Sequence, residues 1–325
     1  MGEQTFAAEP AIYDEAQVPT YTLPDPLVMA DGRPVTSAGM WRDDRRPEVL
    51  RIFEEQVYGK SPPAPKELAF NVIEVDSNAL GGIATRKQIE LVIWQGSRAV
   101  RVNVLAYLPN ARQKPAPVFV GLNFGGNQTV HNDPAILVTS AWVRSFKKDD
   151  SGVVDNRATE ASRGAQASRW PIEMIVKRGY ALVTAYYGEI DPDFDDGFAN
   201  GVHALYADQP RQADSWGAIA AWAWGLSRIA DFLEFDRAFD AKRIAVIGHS
   251  RLGKAALWAG ATDPRFAMVV SNNSGCGGAA LSKRRFGESV AIINKSFPHW
   301  FCQNFRAYDD HEDQLPVDQH ELLAL

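Results

Sequence analysis

One stretch of the sequence suits nucleophilic chemistry: Val246-Ile247-Gly248-His249-Ser250-Arg251-Leu252-Gly253-Lys254. Before it runs Arg243-Ile244-Ala245-Val246-Ile247, apolar and rich in β-branched residues. After it runs Ala255-Ala256-Leu257-Trp258-Ala259-Gly260-Ala261, which reads as helix. A strand, a glycine-flanked serine and a helix predict a sharp turn. It lifts the serine hydroxyl out of the sheet and aims the first helical N–H groups at the same space. The spacing is irregular, because the usual pattern is G-x-S-x-G. Here Gly253 stands three residues after Ser250, and Leu252 takes the place of the usual small residue. A serine at this point also suits a plain N-cap of the following helix, so the residues alone leave both readings open.

A serine nucleophile needs a base, and the base needs an acid to orient it, here in the chain order Ser, acid, His. Three histidines follow Ser250. His299 sits in the aromatic cluster Pro298-His299-Trp300-Phe301-Cys302 and reads as core or pocket wall. His311 lies in the acidic turn Asp309-Asp310-His311-Glu312-Asp313, and His320 opens an apolar helical run toward Leu325. His249 is expected to face down into the sheet if Ser250 faces up. The sequence at Ala324-Leu325 reads as mid-helix, and a doubly covered sheet calls for further strands. The catalytic histidine and acid are therefore expected beyond Leu325.

Oxyanion donors are better supplied. The Arg251 N–H opens a helix, its guanidinium adds a cation, and Asn123-Phe124-Gly125-Gly126-Asn127 after an apolar strand resembles an oxyanion loop. Arg251 and Lys254 together suit a substrate with negative charge or many hydroxyls. The plainer alternative pairs Lys254 with a nearby carboxylate. After the next strand, Asn273 stands where an acid is often placed; it can orient a histidine but not offset its charge. Glu288, beside Arg284 and Arg285, suits either a surface ion pair or an acceptor for sugar hydroxyls.

The elements that must position these residues are legible. Residues 1–40 are Pro-rich and expected as an extended arm. A helix is expected over 44–59, with Pro47 near its start and Leu50, Phe53 and Val57 on one face. Runs at 68–76, 85–94 and 100–108 have strand character and predict an antiparallel meander. Further strands are expected at 118–122, 180–185, 241–247 and 266–271, with helices from 171 to 177 and from about 215 to 233. The fold class is α/β: a largely parallel sheet covered on both faces, a three-layer αβα sandwich with antiparallel amino-terminal strands. Residues 41–325 form one domain in this reading, with an irregular insertion at 127–170 that reads as functional or a lid.

The 325 residues are 46% hydrophobic and 23% charged, which suits a globular chain. A net charge of −6 with no basic block argues against nucleic acid as a partner. Nine tryptophans suit core packing, with sugar-facing roles as the sharper reading. Cys276 and Cys302 can form one bridge or none. No signal-peptide pattern or apolar run long enough for a membrane span occurs. No metal or cofactor motif stands out, and a monomer is expected.

Gly248-His249-Ser250-Arg251-Leu252-Gly253-Lys254 resembles the G-x-S-R-x-G-K signature of the glucuronoyl esterases, carbohydrate esterase family 15. Asn123 to Asn127, Trp216 to Ala220, Asn272 to Gly278, Phe286 to Glu288, Pro298 to Phe301 and Leu315 to His320 look like its bacterial branch. The likeness covers roughly residues 40–325. It implies an α/β-hydrolase fold and a secreted or periplasmic serine esterase without cofactor. The bonds cleaved would join glucuronic acid groups of xylan to lignin alcohols. It also implies Ser250 as nucleophile, Arg251 at the oxyanion, and Lys254, Glu288 and Trp300 at the sugar. Asn123, Gly125, Gly126 and Asn273 would lie at the oxyanion loop or behind it. Asn273 departs from the family's pattern, because one family acid position falls on it. His320 matches a non-catalytic histidine. The rival readings are an acetyl or feruloyl esterase on plant polysaccharide, and a non-catalytic carbohydrate binder using exposed tryptophans. The 325-residue chain is expected to show little or no turnover of a glucuronoyl ester. Equal rates for it and for a chain carried past Leu325 would refute that expectation.

Overall fold

Strand alternation and turn glycines build the first half of the sheet. In the structure, a computed structural model, residues 10–145 and 152–325 are described; the start of the expected arm and 146–151 of the expected insertion lie outside them. Strands β1 (Glu67–Ala79), β2 (Ala84–Gln95) and β3 (Arg98–Pro109) form the antiparallel meander. Strand β4 (Ala116–Asn123) follows, then a small hairpin of β5 (Val153–Val154) and β6 (Arg157–Ala158). Strands β7 (Ala181–Tyr186), β8 (Phe239–His249) and β9 (Phe266–Asn272) complete the set. The main sheet runs β1-β2-β3-β7-β4-β8-β9, with β7, β4, β8 and β9 parallel and β3 joined to β7 antiparallel. Val120 of β4 pairs with both Val183 of β7 and Val246 of β8. Every residue of β7 is buried, as expected for a central strand covered on both faces.

The helices are α1 (Ala38–Met40), α2 (Arg46–Gln56), α3 (Ile172–Lys177), α4 (Tyr187–Ile190), α5 (Ala218–Phe235), α6 (Arg251–Thr262), α7 (Val290–Ser296) and α8 (Gln319–Ala324). The first helical segment begins earlier than expected. Ser37 caps α1 by accepting the Met40 N–H at 3.1 Å, and a π-helical turn, Trp41–Arg45, carries the chain into α2. Pro47 therefore lies inside a helix already under way. It is tolerated because the wide turn before it changes the hydrogen-bonding register. Helix α5 is buried on nearly all sides, with Trp222 and Ile229 at 0% exposure, and packs against both the sheet and α6.

The described parts of 127–170 are not a free lid. Gln88 bonds the Ala135 carbonyl at 2.9 Å and the Leu137 N–H at 2.8 Å, and Arg163 bonds the carbonyls of Asp133 and Ile136. Val130 and Ile136 pack with Leu105, Tyr107, Ile172 and Val176 into a second, smaller core. Described residues before 40 touch the domain. Ile12 meets Gly287 through a 2.7 Å bond, and the Pro24 carbonyl accepts from His320 at 2.8 Å. Cys276 and Cys302 are both free and buried. Among the described residues, no helix is long and apolar enough to cross a membrane.

Close approach of β8 to α6 depends on Gly248. A Cβ there would collide with the backbone of Leu252 and Gly253, which cannot move without displacing the helix. Gly248→Ala is expected to cost about 3 kcal/mol or more in chemical denaturation. A loss below about 1 kcal/mol would show that the turn has room to spare.

Candidate active site

The turn between β8 and α6 has the geometry that the sequence predicts. Ser250 takes φ 56° and ψ −128°, a left-handed region that a non-glycine residue rarely occupies without cause. Its N–H bonds the Asn272 carbonyl at 3.0 Å, tying the turn to the end of β9. Its carbonyl receives the N–H groups of Gly253 at 2.9 Å and Lys254 at 3.1 Å. The hydroxyl does not cap the helix and has no hydrogen-bond partner among the described residues. The plain N-cap alternative therefore fails. The N–H groups of Arg251 and Leu252 open α6 without a backbone acceptor among the described residues, where helical partial positive charge gathers.

The irregular spacing has a packing cause. Leu252 is buried on the core side, so it does not need to be small. The tight contact falls one residue later, where Gly253 faces the carbonyls of Asn272 and Gly248 and the side chain of Ser274. The Gly253 carbonyl accepts from Ser271 at 2.9 Å.

Arg251 and Lys254 converge on Trp300. The Arg251 guanidinium lies 4.8 Å from the Trp300 ring centre and 5.2 Å from that of Phe297; these two rings stack at 3.7 Å and 4°. The Lys254 ammonium lies 5.6 Å from Trp300 and donates to the Ser274 carbonyl. Lys254 is buried and forms no ion pair among the described residues, so its expected alternative role in a carboxylate pair is not seen. Burial lowers its tendency to hold a proton and Arg251 adds to this, while Glu288 and Cys276 oppose. Glu288 is exposed. Loss of hydration nonetheless raises its carboxyl, against the pull of Lys254 and Arg251. Both the Lys254 ammonium and the Glu288 carboxylate approach Gly275.

Asp193, which the sequence reading passed over, organises this wall. It is buried and accepts from Trp300 Nε1 at 2.8 Å, His299 Nε2 at 3.0 Å and the Tyr187 hydroxyl at 3.0 Å, and it pairs with Arg251 Nη1. Burial alone would raise its carboxyl. The His299 hydrogen bond, the Arg251 charge and the Trp300 N–H outweigh that and hold it well below the usual carboxylate range. The signal was present: Ile190-Asp191-Pro192-Asp193 follows the end of β7, where α/β sheets place ligand-facing loops.

Other expected residues fall elsewhere. Trp300 is 3% exposed, with Phe297 against its ring and its N–H donated to Asp193. His249 is exposed rather than packed under the sheet, 3.2 Å from the Asn272 amide, because the β8–β9 face is thinly covered here. Asn123 is an internal brace, bonding Asn127 at 2.8 Å, Thr184 at 3.1 Å and the Gly126 N–H at 2.8 Å. The Gly126 N–H is therefore spent. The Gly125 carbonyl holds Gln128 at 2.8 Å. Phe124, between these elements, reaches toward the turn and lies 6.5 Å from His249. Asn273 is exposed at φ 47°. His311 is exposed, and His320 is held by Pro24. None of the nine tryptophans is exposed, which removes the basis for a binder using open tryptophan faces. Among the described residues, no group of three or more His, Cys, Asp or Glu side chains is placed to hold a metal ion.

A mixed sheet with a strained serine between a parallel strand and a buried helix defines an α/β-hydrolase with a nucleophile elbow. Comparison with known proteins agrees. A family model described as glucuronyl esterase of fungi matches residues 170–325. Carbohydrate esterase MZ0003, from an unknown prokaryotic organism, is 53% identical over 316 residues, covering 96% of this chain and 72% of that protein. A solved promiscuous CE15 esterase from a marine bacterial metagenome superposes with a TM-score of 0.89 at 52% identity, covering 97% of this chain and 79% of that one. A 4-O-methyl-glucuronoyl methylesterase of Schizophyllum commune is 26% identical over 317 residues; the match takes in 93% of this chain but only 64% of that enzyme's length. The chain belongs to carbohydrate esterase family 15.

The Asp193 cluster has a measurable signature. A carboxyl held low in the folded state stabilises it above the unfolded value, about 3.9, and the contribution fades as pH falls through the folded value. Asp193→Asn is expected to cost about 3 kcal/mol at pH 7, because it removes the charge that balances Arg251 and replaces one of the two acceptor oxygens with a donor. The gap from the parent protein should shrink steadily in urea unfolding below about pH 4. A gap independent of pH would show that Asp193 contributes by packing alone.

Proposed function

We propose that the protein is a serine carboxylic ester hydrolase acting on uronoyl esters, in particular those linking glucuronic acid groups of xylan to lignin alcohols. The observation that carries this reading is the idle hydroxyl of Ser250, followed at once by two unspent helix N–H groups and by the cations of Arg251 and Lys254, which converge on Trp300. Ser250 Oγ attacks the ester carbonyl carbon, and the N–H groups of Arg251 and Leu252 receive the developing oxyanion. The alcohol leaves with a proton, and water then releases the uronic acid and restores the serine.

Arg251 is held by Asp193 at one end of its guanidinium, while its Nε has no partner among the described residues. That Nε is buried, so a donor to the carbonyl region would come from Nη2, which forms no hydrogen bond among the described residues, without loss of the Asp193 support. Lys254 and Glu288, facing each other across Gly275, suit sugar hydroxyls as donor and acceptor. Trp300 in this proposal acts from beneath, by fixing both cations. Asn123, Gly125, Gly126 and Asn273 act behind the site, by shaping the loops that flank it.

None of the described histidines hydrogen-bonds Ser250. His299 is engaged by Asp193, His203 by Asp191, and His320 by Pro24. The proposal therefore keeps the base and its acid beyond Leu325. A monomer suffices, since every group named comes from one chain. Polymeric plant-wall substrate suits action outside the cytoplasm.

An acetyl or feruloyl ester would leave the two cations without a negative or polyhydroxylated partner, so the uronoyl reading is preferred. On a chain carried past Leu325, Ser250→Ala should lower hydrolysis of methyl 4-O-methyl-glucuronate by roughly 10³-fold or more. Lys254→Met should raise KM for that ester while leaving simple acetate esters nearly unchanged. Acetate esters hydrolysed as well as the uronate ester by the parent protein would sink the uronoyl reading.

A further inference from the structure

A second cleft lies on the other side of the Asp191–Asp193 segment. It encloses about 500 Å³, within the range of small-ligand sites, between Lys60–Pro62 and residues 197–216. None of Ser250, Arg251, Lys254 or Glu288 lines it. Its floor is His203 and Trp216, both nearly fully buried, and Tyr206 stands in its wall. His203 Nδ1 is held by Asp191 at 2.8 Å, and its ring packs 4.6 Å from Trp216. This imidazole–carboxylate pair has no part in the chemistry proposed above.

Two cations line this cleft, Lys60 and Arg211. Lys60 is neutralised by Asp214 at 2.7 Å and Glu55 at 3.4 Å. Arg211 forms no ion pair among the described residues, although the buried Asp191 carboxylate lies close enough to favour its charge. One of its terminal nitrogens donates to the Trp216 carbonyl at 2.6 Å, and its guanidinium lies 3.5 Å from the centre of the Phe198 ring. These two contacts fix the cation in place and leave Nε and the other terminal nitrogen unspent. Phe198 itself sits at φ 63°, held by the Asp196 carboxylate on its N–H at 2.8 Å, with its ring edge-on to His203 at 4.8 Å. A bulky residue in that backbone region is uncommon, and here it puts a flat face under an arginine.

A planar, fixed, unpaired guanidinium beside partly open aromatic walls selects a carboxylate carried on a ring with an apolar face. The geometry points to this cleft as a subsite for a sugar residue bearing a free carboxylate, with Arg211 at the carboxylate and Tyr206 against the ring. The inference rests on the reading of the protein as acting on uronate-bearing polysaccharide. The free acid bound here would be a neighbouring unesterified uronate of the same polymer. Reach is adequate. Asp191, which holds the cleft floor, and Asp193, which holds Arg251, are two residues apart, at most about 7 Å along the chain. Trp216 lines the cleft, and the adjoining Gly217 lies against the Trp300 carbonyl.

The test is equilibrium binding to the Ser250→Ala protein, which keeps turnover out of the measurement. The probes are a xylo-oligosaccharide carrying a free glucuronate and the same oligosaccharide without it. Tighter binding of the acidic probe is expected, with about a tenfold loss in Arg211→Gln, the scale of one charge-assisted hydrogen bond. A smaller loss is expected in Tyr206→Ala, which leaves the cation in place and serves if Arg211→Gln does not fold. Added salt should weaken the acidic probe selectively. Equal affinity for both probes, or an acidic-probe affinity unchanged in both variants, would overturn the subsite. Failure of the esterase reading would appear separately, as absent turnover of the small uronate ester by a chain carried past Leu325.

Discussion

Taking a carboxylate out of water is costly unless charge and hydrogen bonds replace the hydration it loses. Asp193 meets that condition with four side-chain partners: the nearby Tyr187, and Arg251, His299 and Trp300 from distant parts of the chain. The same bonds fix the direction of Arg251, and through the stacked Phe297–Trp300 pair they fix the floor under Lys254 as well. The cationic wall beside Ser250 is thus set by one buried anion and does not depend on bound substrate for its shape. Such preorganisation favours charge that develops during a reaction over charge present at the start.

The helix behind the site shares this support. Helix α5 begins at Gly217 without a side-chain cap, and its first N–H groups bond the carbonyls of His299 at 2.9 Å and Trp300 at 3.1 Å. Those carbonyls belong to two of the residues that contact Asp193. A long buried helix therefore satisfies its own open end by gripping the aromatic segment, and a Cβ at Gly217 would push that segment away. Core packing and site geometry meet here in the same few backbone atoms.

Much of this was legible in the chain. Strand alternation gave the meander, short apolar runs gave the parallel strands, and the stretch from Gly248 to Lys254 gave the turn and its two cations. The first helix was read as starting too late, because Pro47 is a strong start signal and a π-helical turn has no sequence mark of its own. The placements of His249 and Trp300 depend on which faces are covered, which periodicity cannot decide. Asp193 was missed for a related reason. Its importance comes from partners far away in sequence, and a lone Pro-Asp after a strand looks like an ordinary turn. The conformation of Ser250 could be expected from its neighbours; the idleness of its hydroxyl could only be seen in three dimensions.

Strand order has a consequence for how the site comes into being. β3 and β4 are consecutive in the chain, yet they do not pair, because β7 lies between them. The meander of β1, β2 and β3 can form from local contacts, but the parallel half of the sheet must wait until Ala181–Tyr186 has been made and threaded into its slot. Pairings of this long range close large loops and are slow. Asp193 follows β7 after the short helix α4, and Arg251 follows β8 after Ser250. The ion pair between them therefore cannot form until the last long-range pairings are complete, which makes it a late event in folding. During synthesis, the amino-terminal meander is exposed with an open β3 edge, a surface that invites pairing with other chains until β7 arrives.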